Sequence, residues 1–264
     1  MYQLIATDLD GTLLSPDHTV APYTADTLRQ LENRGLHFVI ATGRHYCDVR
    51  GIRDVLGIRA YLITSNGARV HDPDNQQIHA ENLEPHLVRA LCQPEYSHGT
   101  SLSLYLDQAW LIGAPYERML EYHQDSGFAY EVADLPNYHG EDVAKILYVA
   151  SHDHLLRLED KLREQYDDEL YITFSALDCL EVMAPTVSKG HALTVVMGEL
   201  GVPASACIAF GDNLNDFEML ETAGHPFLMG NANPKLIAQL PQVPVIQPNT
   251  EAGVAQHLRT LFGL

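Results

Sequence analysis

Short apolar runs rich in β-forming residues alternate along this chain with segments of helical periodicity, and this alternation limits the folds available to it. Runs at residues 2–7, 36–41 and 61–64 are separated by helical segments at 24–34 and 46–56. The same alternation returns from residue 188 onward. Strands joined through helices at this spacing are typical of a parallel sheet that helices cover. The sequence therefore predicts an α/β fold with a doubly wound parallel sheet.

The middle of the chain has a different pattern. Alternating apolar and polar residues at 101–106, 144–150 and 178–183 are interleaved with helical patterns at 84–91, 116–124 and 154–165. Such alternation indicates half-buried strands of an antiparallel sheet. We predict that residues 1–82 and 184–264 form a core domain and that residues 83–183 form an inserted α+β domain.

Composition and charge exclude several classes of protein. An apolar share of 46% lies in the globular range. The chain has 16 basic against 35 acidic residues and a net charge of −19, which repels nucleic acids and anionic membranes. The sequence shows no secretory signal, no apolar run near the ~20 residues of a membrane span, and no paired cysteine spacing. We therefore expect a soluble cytoplasmic protein with reduced thiols and no nucleic-acid or membrane partner; its oligomeric state stays open.

Two polar loops directly follow the first two predicted strands. They are DLDGT at 8–12 and TGR at 42–44. In open α/β sheets, ligands bind outside the carboxyl ends of the strands, so Asp8 and Asp10 can face one crevice. The hydroxyl, flexible N–H and guanidinium of the second loop suit an oxyanion. The alternative is that both loops are ordinary polar turns.

Three further segments carry candidate functional groups. Lys189 begins a predicted helix, where its charge opposes the helix dipole; this indicates either a function or a side chain that reaches solvent. The segment GDNLND at 211–216 offers carboxylate and amide oxygens that suit Mg²⁺, or else a helix N-cap. Asn66-Gly67 predicts a hairpin turn or a substrate contact.

In chain order, these segments resemble the four motifs of the haloacid dehalogenase (HAD) superfamily of aspartate-nucleophile phosphatases. DLDGT, TGR, the single Lys189 and GDNLND match the motifs without a departure. The long interval between the second and third motifs resembles the Cof-type branch, which carries a substrate-selecting cap domain there. The resemblance covers essentially the full chain and implies a HAD core with an inserted α+β cap.

The resemblance also implies an activity and a set of roles. It implies an Mg²⁺-dependent phosphomonoester hydrolase that acts on a small phosphorylated metabolite through an aspartyl-phosphate. Asp8 would be the nucleophile, and Asp10 the general acid and then the base. The implied Mg²⁺ ligands are Asp8, the backbone carbonyl of Asp10, and Asp212. The implied phosphate-binding residues are Leu9, Thr42, Gly43, Lys189 and Asn215, with Arg44 and Asp216 in supporting roles.

Substrate choice is expected to depend on the inserted domain. The stretches at 1–19, 61–72 and 179–193 resemble an enterobacterial Cof-type phosphatase of pyridoxal 5′-phosphate, which implies that substrate, with sugar phosphates as side substrates. A tyrosine of the insert could stack on the pyridine ring, or these tyrosines could simply pack its sheet. The candidates are Tyr96, Tyr105, Tyr116, Tyr122, Tyr130, Tyr138 and Tyr148.

Other functions stay open at this point. A phosphomutase of the same superfamily would share Asp8 and Asp10, and a sugar-phosphate phosphatase would share all four motifs. A non-catalytic phosphate sensor would be expected to lack a motif carboxylate or the lysine, and this chain keeps them all. The motifs therefore favour an enzyme.

Overall fold

The computed structural model describes residues 1–124 and 126–264, without the side chain of Tyr122. It contains two compact units. The first unit comprises Met1–Arg44, Val49–His79 and Ser188–Leu264, and the second comprises His45–Asp48 and Ala80–Val187. The first unit is thus assembled from segments that are distant in sequence.

At residues 4–64 and 189–228 the strands alternate with helices, as the periodicity predicts. The strands are β1 (Leu4–Asp8), β2 (His37–Ala41), β3 (Ala60–Thr64), β4 (Arg69–His71), β5 (Gln77–Ala80), β6 (Ser101–Tyr105), β7 (Trp110–Ile112), β8 (Glu131–Val132), β9 (Lys145–Val149), β10 (Tyr171–Ala176), β11 (Cys179–Met183), β12 (Cys207–Gly211) and β13 (His225–Leu228). The helices are α1 (Pro22–Glu32), α2 (Tyr46–Leu56), α3 (Pro85–Leu91), α4 (Pro94–Ser97), α5 (His152–Tyr166), α6 (Lys189–Leu200), α7 (Phe217–Thr222), α8 (Pro234–Gln239) and α9 (Gly253–Phe262). The α/β class predicted from the sequence is confirmed.

The sheet of the first unit has the strand order β13-β12-β1-β2-β3-β4-β5. Strand β1 pairs in parallel with both β2 and β12, and β2 pairs in parallel with β3. All five residues of β1 are buried, as expected for a central strand covered on both faces. Because the central strands are parallel, the loops that follow β1, β2, β3 and β12 leave the sheet at one edge.

The sheet of the second unit has the order β10-β11-β9-β6-β7-β8 and is antiparallel except between β7 and β8. One sheet face joins α3 and α5 in an apolar cluster that includes Leu104, Tyr148 and Leu158. The other face carries a second cluster around Tyr105 and Trp110. Each face therefore has its own core. Among the described helices, none is both long enough and apolar enough to cross a bilayer.

Two predicted elements differ from the structure. The helix predicted at 116–124 is a run of 3-10 turns at Glu117–His123. Met119 and His123 are both buried, and their separation of four positions resembles one face of a helix. The apolar residues at 243–246 also predict a strand in the sequence, but this segment makes one bridge, from Val245 to Leu228. Pro244 has no N–H to donate to a ladder, which limits pairing there.

Candidate active site

A buried lysine joins the third motif to the first and the fourth. Lys189, the first residue of α6, is 1% exposed. Its Nζ atom lies 2.6 Å from Oδ1 of Asp8 and 2.6 Å from Oδ1 of Asp216. The side chain of Ser188 caps the helix by accepting the N–H of His191. The alternative of a solvent-facing lysine is wrong, because the ammonium group is enclosed between two carboxylates.

The charges of this group shift one another's protonation. Burial raises the pKa of Asp8 well above its usual range; Lys189 opposes the rise, and the nearby carboxylates reinforce it. Burial disfavours the ammonium of Lys189, but Asp216 and Asp8 together raise its pKa above the ordinary lysine value. Lys189 is thus a permanent cation at the end of β1.

The loop after β12 places the carboxylate of Asp212 near those of Asp8 and Asp216. The carboxylate of Asp216 accepts the backbone N–H groups of Asp212 and Asn213 at 2.9 and 3.0 Å. Asn213 is the helix cap of this turn, so the N-cap alternative applies to Asn213 and leaves Asp212 available. Thr12 donates to Oδ1 of Asp212 at 2.8 Å. Gly11, with φ +82°, leaves room for the Asp212 carboxylate, which a Cβ at this position would strike.

The resulting acidic cluster suits a divalent cation. Ligand oxygens of Asp8, Asp212 and Asp216 all lie within 4.8 Å of one another. Three carboxylates against the single ammonium of Lys189 leave an excess of two negative charges. Burial, followed by the charge of Asp216, raises the pKa of Asp212 to about 6, which indicates repulsion that the protein itself does not offset. Hard oxygen donors with this excess charge fit Mg²⁺.

The side chain of Asp10 takes a different set of partners. Arg44 donates two hydrogen bonds to this carboxylate, from Nε at 2.7 Å and from Nη2 at 2.5 Å. His18 Nδ1 lies 2.9 Å from the same carboxylate. Burial favours the neutral acid, but Arg44 and then His18 lower the pKa of Asp10 below its usual value. The contacts therefore hold Asp10 as a carboxylate.

Asn66, in the loop after β3, contacts both the second and the fourth motif. Thr42 is 1% exposed, and its hydroxyl accepts the N–H of Arg44 at 3.1 Å. Asn215 is buried and donates through Nδ2 to Oδ1 of Asn66 at 2.9 Å. The Leu9 side chain is fully buried in the core, so only its backbone is available to a ligand.

All predicted site residues belong to the first unit, and the contacts above join the four motifs. The site forms two clusters: Asp8, Asp212, Asp216 and Lys189, and separately Asp10 with Arg44. Sequence reasoning missed Thr12 and His18 as partners of motif carboxylates. Thr12 stands within the DLDGT motif, which could have pointed to it, whereas nothing in the sequence singles out His18.

Comparisons with known proteins agree with this geometry. Residues 5–258 match the family of haloacid dehalogenase-like hydrolases. The chain is 41% identical over 258 residues to an HMP-PP phosphatase of Cronobacter sakazakii, covering 98% of this chain and 95% of that protein. It is 39% identical over 246 residues to an HMP-PP phosphatase of an Enterobacter species, covering 93% and 90%.

A solved structure of a haloacid dehalogenase-like hydrolase from B. subtilis superposes with a TM-score of 0.86 at 28% identity, covering 97% of this chain and 99% of that one. This chain belongs to the haloacid dehalogenase-like hydrolase family. It is an enzyme of the phosphatase class.

Proposed function

We propose that the protein is an Mg²⁺-dependent phosphatase that hydrolyses small phosphorylated metabolites through an aspartyl-phosphate on Asp8. The observation that carries the proposal is the buried contact of Lys189 with Asp8 and Asp216 beside Asp212. Asp8, Asp212 and the backbone carbonyl of Asp10 would hold Mg²⁺, which supplies positive charge for the phosphoryl oxygens. Phosphoryl transfer depends mainly on such positioning and charge stabilisation.

In the first step, a carboxylate oxygen of Asp8 attacks phosphorus, and the bond from phosphorus to the leaving oxygen breaks. Lys189 offsets the repulsion between the carboxylate and the phosphate dianion. Asp10 in its acid form gives a proton to the leaving oxygen. The products of this step are the free alcohol, or the shorter phosphate ester if the substrate is a pyrophosphate, and phosphorylated Asp8.

In the second step, Asp10 takes a proton from water as the water oxygen attacks phosphorus. The bond to Asp8 breaks, which releases orthophosphate and restores the carboxylate of Asp8. The contacts with Arg44 and His18 keep Asp10 ionised, which suits this second step. Protonation of Asp10 for the first step requires a weaker hold by Arg44, because the guanidinium stabilises the charged form.

The names of the two relatives favour HMP-PP as the first substrate to test. Pyridoxal 5′-phosphate, predicted from the sequence resemblance, is the second. Both compounds carry a flat nitrogen heterocycle, so an aromatic residue of the second unit could stack on either.

The structure narrows the candidate tyrosines. Tyr96, Tyr105 and Tyr148 are buried within the second unit, and the Tyr148 hydroxyl donates to the carbonyl of Leu91. These three side chains are packed inside the second unit, which agrees with the alternative that the tyrosines pack its sheet. The side chain of Tyr122 lies outside the described part. Tyr116, Tyr130 and Tyr138 are not buried and stay candidates.

The test is release of orthophosphate from HMP-PP, pyridoxal 5′-phosphate and hexose 6-phosphates, each with and without Mg²⁺. We expect Mg²⁺-dependent release, with kcat/KM for the heterocyclic substrates at least equal to that for the sugars. If kcat/KM for sugar phosphates is more than about tenfold higher, the proposed substrate class is wrong, but the proposed phosphatase activity is unaffected. A requirement for a bisphosphate activator with little free phosphate would instead indicate the phosphomutase.

A further inference from the structure

A turn outside the four motifs has an unusual backbone. Ser65, Asn66 and Gly67, which join β3 to β4, have φ values of +48°, +56° and +112°. Hairpin turns commonly place Asn-Gly in this region, but a serine there adds strain. Such strain persists where the surrounding structure fixes it, and it is concentrated at functional sites.

The backbone of this turn is fixed to the second motif. The N–H of Ser65 donates to the carbonyl of Arg44 at 2.9 Å, and the N–H of Asn66 donates to the carbonyl of Thr42 at 3.0 Å. A Cβ added to Gly67 would strike the carbonyl of Ser188, so the turn also packs closely against the residue before Lys189. Two phosphate-binding segments of the proposed site therefore meet at the backbone of this turn.

The side chain of Asn66 completes the junction. It is 1% exposed, and its Oδ1 accepts one amide hydrogen of Asn215. A Cβ at Gly43 would lie 3.1 Å from the same oxygen, so Oδ1 packs directly on the Gly43 backbone. With one amide hydrogen of Asn215 held by Asn66, the amide plane of Asn215 is fixed, and its second hydrogen can be donated to an anion.

We infer that Asn66 is a positioning residue for phosphate binding, acting through Asn215 and the Gly43 backbone. The inference rests on the proposed function, because the anion it orders these groups for is the phosphoryl group. Its side-chain oxygen cannot bind an anion directly, since it is an acceptor already facing the amide of Asn215. Asn66 acts by orienting donors, and it adds a fifth loop to the four motif segments.

The test is inhibition of the full-length enzyme by inorganic orthophosphate, together with kcat and KM. Asn66→Gly keeps the left-handed turn, because glycine adopts positive φ freely, and removes only the side chain. We expect the inhibition constant for orthophosphate and KM to rise about tenfold, more than kcat falls, with the melting temperature nearly unchanged. Asn215→Ala should raise the inhibition constant by a similar factor, and the double variant by clearly less than the product of the two single factors.

Asn75→Gly is the matched control. Asn75 also has a positive φ, +67°, and its Oδ1 also accepts a side-chain hydrogen bond, from Arg53, but it stands in the turn between β4 and β5. This variant should leave the inhibition constant unchanged. An Asn66→Gly enzyme within about twofold of the parent, or an effect that persists fully after Asn215→Ala, would overturn the inference alone. A parent that releases no phosphate from any ester would overturn the proposed function and the inference with it.

Discussion

The ammonium group of Lys189 donates to Oδ1 of Asp8 across 2.6 Å, although 181 positions of sequence separate the two residues. Both side chains are buried, and the same ammonium reaches Asp216 at the same distance. This contact places the proposed nucleophile beside a fixed positive charge. The charge balance around Lys189 therefore controls both the stability and the proposed chemistry of the site.

Lys189→Met is expected to damage both. Loss of the ammonium leaves three close carboxylates without a cation, and breaking a buried ion pair in this way typically costs about 3–5 kcal/mol. The melting temperature should fall in Mg²⁺-free buffer, KM should rise and kcat should fall. Lys235→Met, at an exposed lysine of α8, is the control and should change none of the three. An unchanged KM would remove Lys189 from phosphate binding.

Asp8→Asn should separate stability from activity. The amide has nearly the same shape but no nucleophilic charge, and it removes the cost of burying a charge and the repulsion from nearby carboxylates, which together raise the pKa of Asp8. We expect phosphate release to be abolished while the Mg²⁺-free melting temperature stays equal or rises. Asp54→Asn, at an exposed position of α2, should keep full activity. Residual activity of Asp8→Asn within about tenfold of the parent would exclude Asp8 as the nucleophile.

Asp10→Asn should behave differently, since the proposed metal ligand is its backbone carbonyl. Turnover should drop about 10²–10⁴-fold, the usual share of general acid–base catalysis. The Mg²⁺ concentration for half-maximal activation should be nearly unchanged. A variant that no longer responds to Mg²⁺ would show that the side chain, rather than the backbone, contributes to the metal site.

Magnesium binding should depend on pH near the pKa of Asp212, which is raised to about 6. Below that pH, the carboxyl of the metal-free protein holds a proton that the cation must displace. The rise in melting temperature on adding Mg²⁺ should therefore be largest above pH 7 and should shrink as the pH falls through 6. In Asp212→Asn, the Mg²⁺ effect should be small at every pH. A Mg²⁺ effect that is constant from pH 5 to 8 would contradict this role.

Three of the four cysteines should be chemically inert in the native protein. Cys92, Cys179 and Cys207 are buried free thiols, and burial raises the pKa of each to about 12. Because the thiolate is the reactive form, an aromatic disulfide reagent at pH 8 should modify only the partly exposed Cys47. All four should react in denaturant. Rapid modification of Cys207 in the folded protein would show that β12 opens readily.

The sequence predicted the parts of the site that depend on local order. Each of the segments around Asp8, Thr42 and Asp212 directly follows a strand, and parallel strands bring such segments to one edge. The contacts of Asp10 with Arg44 and His18 could not be predicted from the sequence. They depend on which of several nearby groups a long, flexible side chain reaches in the folded protein. The role of Asn66 was equally hidden, since an Asn-Gly pair fits any hairpin and its hydrogen bond to Asn215 spans 149 positions.

The boundaries of the second unit were harder to predict from the sequence for a similar reason. Residues His45–Asp48 group with it, although Tyr46–Asp48 begin a helix whose remainder belongs to the first unit. The His45 ring stacks on Phe128 at 4.3 Å, and Asp48 bonds His123 at 2.8 Å. Local periodicity places the last three of these residues in α2 and carries no information about such distant partners.

The central position of β1 sets the order in which the molecule can be completed on the ribosome. Strand β2 follows β1 closely in sequence, but its other neighbour, β12, begins only at Cys207. Until that strand and the loop after it emerge, one edge of β1 lacks its hydrogen-bonding partner and Lys189 lacks Asp216. By then residues 80–187 of the second unit have already been synthesised, so that unit can fold first. The nascent first unit meanwhile exposes the unpaired edge of a strand. The first unit is therefore the last part of the chain to become native, and its unpaired strand edge is open to wrong pairing during translation.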